Sequence, residues 1–173
     1  MIAQSPWRRD PELIEKQERI DRELERFLGE ASPGVGALPR DVSEILRFIH
    51  GHLFDSALNV TAVRQRCGLR NNNVSTRFRS VVGLGLREYI EILRLNAAER
   101  LLRCGGLEVY LVAMAVGYDH QETFCRAFQR QFGRTPSEQR LAALAPMRED
   151  VKTSCKETMS THLDPERDIK VSR

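Results

Sequence analysis

The stretch HQETFCRAFQRQ, residues 120–131, combines an apolar spacing typical of a helix with side chains that form directed hydrogen bonds. Phe124 and Phe128 stand four residues apart, and glutamine, threonine and arginine fill most of the positions around them. Glutamine offers a donor and an acceptor side by side, and arginine offers a planar fork of donors. A face turned only to water usually favours lysine and glutamate instead. These residue types therefore suit contact with phosphate groups and with the edges of nucleic-acid bases.

A second stretch of similar chemistry, RNNNVSTRFR at residues 70–79, shows that one pattern occurs twice in the chain. In each copy two valines precede a glycine, a phenylalanine follows that glycine after a polar stretch, and another glycine stands five residues later. Such a pattern predicts a short helix, a glycine turn and a longer helix with an apolar back, which together form a helix-turn-helix. The first copy comprises Val60, Val63, Gly68, Phe78 and Gly83, and the second comprises Val109, Val112, Gly117, Phe128 and Gly133.

Paired helical hairpins also build solenoids that bind proteins. Those arrays need three or more similar repeats, and this chain has two joined by a long helix. Periodicity and side-chain chemistry favour DNA as the partner but leave a protein partner open.

The elements that position these stretches are predicted to be helices throughout residues 41–141. A long linker helix is expected from about Leu86 to Leu102, ended by the glycines of CGG, with Arg94 on its polar side. The apolar run at residues 107–116, LEVYLVAMAV, fits a buried strand or a buried helix, and its helical neighbours favour a helix. Before the first repeat, one more helix face comprises Ile45, Leu46, Ile49, Leu53 and Phe54. After the second repeat, a supporting helix is expected to start at Thr135-Pro136.

An amphipathic helix is predicted at the N-terminus, starting at Asp10-Pro11 and ending near Gly29. Its apolar stripe needs a partner surface, and we expect it to cover an apolar tract of the same chain. Self-association of residues 10–28 as a short coiled coil is the alternative. The stripe comprises Leu13, Ile20, Leu24, Phe27 and Leu28, and the tract comprises Tyr110, Leu111, Met114 and Ala115.

Changes in composition divide the chain into three parts. Residues 1–40 comprise the N-terminal helix and a linker that is rich in proline and glycine. The linker lies within EASPGVGALPRD, residues 30–41, whose last residue begins the folded domain. Residues 41–141 form the folded domain. Residues 142–173 are polar with almost no apolar periodicity, so we expect a disordered tail.

The composition argues against several classes of protein. No segment approaches the roughly 18 apolar residues of a membrane-spanning helix, and the N-terminus does not resemble a secretion signal, so a cytoplasmic protein without a membrane partner is expected. The cysteines lack CxxC spacing, and His50 and His52 lack a second ligand pair, so no metal or other cofactor is expected. No catalytic signature is recognisable, so we expect no enzyme. Residues 41–141 hold 14 arginines, no lysine and 10 acidic residues, which mildly supports a nucleic-acid partner.

Residues 42–140 resemble the DNA-binding domain of the AraC/XylS transcription regulators. The family commonly shows an Ala-x3-Gly-Phe stretch, then Phe-x-Arg-x-Phe, then Gly-x-Thr-Pro-x-x-x-Arg. The chain departs from the family pattern at Arg64 and Arg70, which stand where a small residue and a capping serine are usual. The matching elements are Ala113 with VGY at 116–118, FCRAF at 124–128, GRTPSEQR at 133–140 and the linker sequence at 86–103.

The resemblance implies an all-α fold in which a long linker helix joins two helix-turn-helix subdomains, with the N-terminal amphipathic helix as an addition. The recognition helices would lie at about residues 71–82 and 120–132 and would enter successive major grooves of an asymmetric site. The implied function is sequence-specific transcription regulation at the nucleoid, as an activator, with double-stranded DNA and RNA polymerase as partners.

The resemblance also assigns individual residues to DNA contact. Arg79 and Arg130 are interpreted as phosphate contacts, and the other positions are implied to face the bases. The base-facing set comprises Asn72, Asn73, Ser75 and Thr76 on the first recognition helix and Gln121, Glu122, Thr123 and Arg126 on the second. The competing hypothesis is a helical protein-interaction module, an anti-activator or polymerase-binding adaptor, that binds DNA weakly or without specificity.

Overall fold

A computed structural model describes residues 11–31, 38–67 and 73–144, except for the side chains of Asn73 and Val74. These residues form helices and turns, and no strand occurs among them, so the predicted all-α fold is confirmed. The eighth helix, α8, covers residues 136–144. The preceding helices are α1 (Pro11–Ala31), α2 (Arg40–Gly51), α3 (Val60–Arg66), α4 (Asn73–Val82), α5 (Leu86–Arg103), α6 (Val109–Ala115) and α7 (Gln121–Phe132).

The repeated sequence pattern corresponds to two helix-turn-helix units, α3–α4 and α6–α7, on either side of α5 in the chain. Helix α5 packs against both α4 and α7, while α2 supports the first unit. The repeat positions Val63 and Phe78 in one unit, and Val112 and Phe128 in the other, are all 0% exposed. The apolar backs predicted from the sequence therefore form the cores of both units. The turn between α3 and α4, including Gly68, lies outside the described residues.

The linker helix contains a residue whose predicted position is wrong. Arg94 was expected on the polar side of α5, but it is only 9% exposed. Because α5 is packed on both flanks, part of its polar side becomes interior. Burial lowers the pKa of the Arg94 guanidinium, an effect that the nearby Tyr118, Asp119 and Asp55 oppose.

The Arg94 guanidinium donates to backbone carbonyls that lie outside the helices. It donates to carbonyls in the loop that follows α2 and to the turn glycine of the second unit, so one side chain joins the two units. Buried carbonyls without partners are unfavourable, which explains why a cation with several fixed donors stands here. The bonds run from Nε to Leu53 O (2.8 Å), from Nη1 to Gly117 O (3.1 Å), and from Nη2 to Asp55 O (2.5 Å) and Leu58 O (3.4 Å).

Helix α1 packs against its own chain, along α5. It begins at Pro11, as predicted, and continues two residues beyond Gly29. Its stripe residue Phe27 is 8% exposed and lies 6.4 Å, between ring centroids, from Phe54. The guanidinium of Arg100 lies 5.6 Å above the Phe27 ring. Self-association of residues 10–28 stays a prediction, and it would compete with this intramolecular packing.

The predicted partner surface of α1 is wrong in part. Tyr110 and Met114 remain 51% and 59% exposed, while Leu111 and Ala115 are partly buried against the hydrophobic core. Polar contacts fix α1 elsewhere, since Lys16 pairs with Glu108 at 2.7 Å. Arg19 Nη2 also donates to Gly105 O at 2.6 Å, and Arg100 pairs with Glu30. These contacts direct the stripe toward α5 and away from the outer side of α6.

The predicted start of the supporting helix at Thr135-Pro136 is confirmed. The Glu138 N–H donates to Thr135 Oγ1 at 3.2 Å, and the Thr135 N–H donates to Glu138 Oε2 at 2.7 Å. This reciprocal pair is a capping box, and its hydrogen bonds lower the pKa of Glu138. Helix α8 continues to residue 144, whereas residues 32–37 of the expected linker and 145–173 of the expected tail lie outside the described residues. In the described ranges, no helix has the length and apolar character needed to cross a membrane.

Candidate nucleic-acid interface

Helix α7 is held by an aromatic core and presents a polar outer face. Phe124 and Phe128 are both fully buried, with ring centroids 5.6 Å apart. Tyr118 packs edge-on against Phe124, and Phe132 extends the row at 4.6 Å from Phe128. The helix ends at Gly133, whose φ of 69° is left-handed. This packing fixes both the position of α7 and the side that it turns outward.

The predicted base-facing residues of α7 all lie on its outer side. Gln121, Glu122, Thr123 and Arg126 are exposed. Arg126 Nε donates to Glu122 O at 3.4 Å, which is long for a hydrogen bond, so the guanidinium is held only loosely against its own helix. The geometry leaves these side chains accessible to a ligand that approaches α7 from outside.

Arg130 has a partner that the sequence interpretation missed. It forms an ion pair with Glu91 of α5, and the two side chains are 69% and 27% exposed. Glu91 lies four residues after Arg87 and three before Arg94, so helical spacing already placed these three on one face of the linker helix. The sequence could therefore have shown which face Glu91 occupies, but the contact depends on how α7 packs against α5.

The predicted residues of the first recognition helix are described only in part. Thr76 and Arg79 are exposed on α4, Ser75 is half-buried, and Phe78 anchors the opposite side with an edge-on contact to Tyr89. A further arginine on this helix, Arg77, pairs with Asp41 of α2 at 3.0 Å. Asn72 lies outside the described residues, as does the Asn73 side chain, although Asn73 begins α4.

A cleft of about 1130 Å³ lies between the two units, bounded by α3, α5 and α7. Thr123, Arg126 and Arg130 line it, so it continues the outer face of α7, whereas the assigned α4 residues with described side chains, Ser75, Thr76 and Arg79, do not line it. From α5, Arg87, Ile90, Glu91 and Arg94 contribute to the lining, and α3 contributes Thr61, Ala62 and Gln65 among others. Three exposed arginines and one carboxylate give this cleft a positive balance.

Tyr118 also lines the cleft and supplies a neutral hydroxyl there. Burial raises its pKa to about 12; the negative charge of Glu91 adds to this effect, while Arg94 and Arg130 oppose it. The hydroxyl therefore stays protonated near neutral pH and can donate a hydrogen bond. Among the residues with described side chains, no cluster of histidine, cysteine, aspartate and glutamate could hold a metal ion.

Known proteins of similar sequence include regulatory proteins and an origin-binding protein, by their names. Residues 64–142 match a family model described as a helix-turn-helix domain. The regulatory protein SoxS of Escherichia coli K12 is 35% identical over 99 residues, which cover 57% of this chain and 92% of SoxS. The right origin-binding protein of the same strain is 30% identical over 96 residues, which cover 56% of this chain and 33% of that protein.

Two solved structures share the fold. The C-terminal domain of AraT, a response regulator from Geobacillus stearothermophilus, superposes with a TM-score of 0.58 at 24% identity, covering 62% of this chain and 88% of that domain. The DNA-binding domain of AdpA, a global transcriptional factor crystallised with a target DNA, gives a TM-score of 0.57 at 25% identity and covers 62% of this chain and 96% of that domain. The arrangement of two helix-turn-helix units on one linker helix is therefore shared with these domains.

Proposed function

The chain belongs to the AraC/XylS family of transcription regulators, and from this membership we propose that it binds an asymmetric DNA site sequence-specifically through α4 and α7. The observation that carries the proposal is the pair of helix-turn-helix units joined by α5, each with a buried aromatic back and an exposed polar side on its second helix. The 18 residues of α5 span roughly 27 Å at about 1.5 Å per residue. Successive major grooves on one face of DNA are about 34 Å apart, a distance that α5 and the bodies of the two units can bridge.

Each of the four α7 side chains assigned to base contact suits a particular base. Gln121 matches the donor and acceptor of adenine, and Arg126 matches the two acceptors of guanine. Glu122 can accept from cytosine, and Thr123 can contact a thymine methyl group. In the first unit, Arg79 would bind phosphate. The base-facing set there would comprise Asn72, just before α4, and Asn73, Ser75 and Thr76 on it.

Selection of binding sequences from random duplex DNA with the purified full chain tests this proposal. We expect enrichment of an asymmetric motif that spans about two helical turns, because the two reading helices differ in sequence. Binding that weakens with salt but favours no sequence would contradict it, since contacts to phosphates alone give that behaviour.

Loss of the Arg126 side chain should affect sequence preference, whereas loss of the Arg79 side chain should affect overall affinity for DNA. Arg126→Ala should weaken binding to the selected duplex by about 1–3 kcal/mol and abolish the preference at a single base pair. Arg79→Ala should weaken binding to all duplexes alike and lower the slope of log affinity against log salt by about 1. Titrations of the selected duplex and its single-base variants at several salt concentrations measure both effects. Equal losses on every duplex for Arg126→Ala would remove it from the base-reading set.

A second candidate function is that of a helical interaction module, an anti-activator or a polymerase-binding adaptor. It is favoured by Tyr110 and Met114, which lie one turn apart on α6 and are 51% and 59% exposed. In a DNA-binding activator at the nucleoid, which we favour, the same pair would contact RNA polymerase beside the bound site. Binding of RNA polymerase without enrichment of any DNA motif would support the second function over the first.

A further inference from the structure

The cleft between α3, α5 and α7 has an arrangement of charge that the assigned base contacts do not explain. Arg126 and Arg130 stand one turn apart on α7, and Arg87 and Glu91 stand one turn apart on α5. All four side chains line the cleft, and the three arginines are exposed. Glu91 is thus a carboxylate among cations, on a surface that continues the outer face of α7.

The Glu91–Arg130 pair contributes little to the stability of the fold. With side chains 27% and 69% exposed, it belongs to the class of surface ion pairs, which water screens and which contribute little to stability. The neighbouring Arg94 is already committed to four backbone carbonyls. The main effect of Glu91 is therefore to reduce the positive charge of the cleft, where its carboxylate pairs with the guanidinium of Arg130.

We propose that this cleft binds a phosphate of the DNA backbone between the two recognition helices, and that Glu91 competes with that phosphate for Arg130. In the free protein the Glu91 carboxylate forms an ion pair with the Arg130 guanidinium. In the complex with DNA the phosphate takes the place of the carboxylate, and Arg87 and Arg126 are the neighbouring cations. The proposal rests on the proposed function, since it needs DNA along the outer face of α7. A backbone phosphate suits the site because the lining arginines offer paired donors and Tyr118 offers a neutral hydroxyl.

Competition between Glu91 and the phosphate would favour specific over non-specific binding. Phosphate contacts supply most of the affinity for non-specific DNA, whereas base contacts supply discrimination. A carboxylate that opposes one phosphate contact therefore lowers affinity for every duplex without altering the base-reading residues. Glu91 would act as a positioning residue that limits backbone-driven binding.

Substitution Glu91→Gln tests the proposal, because glutamine keeps the shape of the side chain and removes its charge. We expect the variant to bind both the selected duplex and a random duplex of the same length about three- to tenfold more tightly at moderate salt. In an Arg130→Ala background, the same substitution should change affinity by about twofold or less, because the guanidinium that it releases is absent.

Glu99→Gln is the matched control. Glu99 lies on the same helix and also pairs with arginines, Arg103 at 3.0 Å and Arg134 at 3.5 Å, but it does not line the cleft. We expect it to change affinity by less than about twofold. An equal gain in Glu99→Gln would show a general effect of net charge and overturn the proposal, as would unchanged or weaker binding by Glu91→Gln.

Two further observations separate the possible failures. If the wild-type chain enriches an asymmetric motif and Glu91→Gln binds it with unchanged affinity, the proposal for the cleft fails while the proposed function stands. If no motif is enriched, the proposed function fails, whatever Glu91→Gln does on random duplex. Titration with inorganic phosphate alone, followed by the NMR signal of the Arg130 Nε–H group, should give no saturable shift at millimolar concentration; saturation there would reassign the site to a free anion.

Discussion

Replacing Arg94 with alanine should lower the free energy of unfolding by about 3–5 kcal/mol, since each buried carbonyl left without a partner is unfavourable by about 1–3 kcal/mol. The variant would leave the carbonyls of Leu53, Leu58 and Gly117 without this donor, while that of Asp55 keeps its hydrogen bond from the Leu58 N–H. A loss of this size is a large part of the about 5–15 kcal/mol that stabilises an ordinary domain. Urea unfolding of the full chain, followed by far-ultraviolet circular dichroism, measures this loss.

Two variants show whether Arg94 stabilises the fold through the geometry of its hydrogen-bond donors or through its positive charge alone. Arg94→Lys keeps the charge but replaces the planar guanidinium with a single ammonium group, so it should recover less than half of the loss. Arg87→Ala removes an exposed arginine from the same helix and should change stability by no more than about 0.5 kcal/mol. Full recovery by lysine would show that charge, and not the geometry of the donors, is what the site requires.

The same residue links stability to the proposed function. Its partners belong to the loop after α2 and to the turn between α6 and α7, so it helps to hold the two units in one relative orientation. A site that spans two successive grooves demands that orientation, because each reading helix must enter its groove at the same time. Under conditions that keep Arg94→Ala folded, its affinity relative to the wild-type chain should therefore fall more on the whole site than on either separate half-site.

The parts of the fold that depend on local pattern were predictable from the sequence. Phe78 and Phe128 were assigned to helix backs by spacing alone, and both are 0% exposed. The family resemblance implied a recognition helix at about residues 120–132, and α7 runs Gln121–Phe132. The start of α8 followed from the Thr135-Pro136 signal. Helical periodicity and capping are properties of neighbouring residues, so they can be read without knowing what the helix packs against.

The parts that depend on packing between distant segments were not predictable. An arginine on a helix is usually solvated, and the burial of Arg94 follows only from two units that close over α5. The partner surface of α1 was missed for a similar reason, because contacts such as Lys16–Glu108 join residues 92 positions apart. Individual base contacts, such as that proposed for Arg126, depend on the register of the protein on DNA, which contacts within the chain do not determine.

Gly117→Ala should destabilise the fold by about 2–4 kcal/mol, because it combines backbone strain with a steric clash. The φ of Gly117 is +83°, a left-handed value that an L residue adopts at a penalty of roughly 1–2 kcal/mol. An added Cβ would lie 2.8 Å from Phe54 O and 3.0 Å from the Arg94 guanidinium carbon. Because Phe54 O is a backbone atom and Arg94 is held by its carbonyls, neither can move without disturbing the junction between the units.

Gly83→Ala separates the two contributions to this loss. Gly83 has nearly the same φ, +82°, but no atom of the residues that the structure describes lies within 4 Å of its added Cβ, so only backbone strain should appear, about 1–2 kcal/mol. The difference between the two variants in urea unfolding then measures the clash, which overpacking data place at about 1–3 kcal/mol. Equal losses would mean that the turn at Gly117 relaxes freely, and the close approach of Phe54, Arg94 and Gly117 could then no longer account for the junction's fixed geometry. A larger loss at Gly117 would support a junction in which a glycine is required because a guanidinium occupies the space of a side chain.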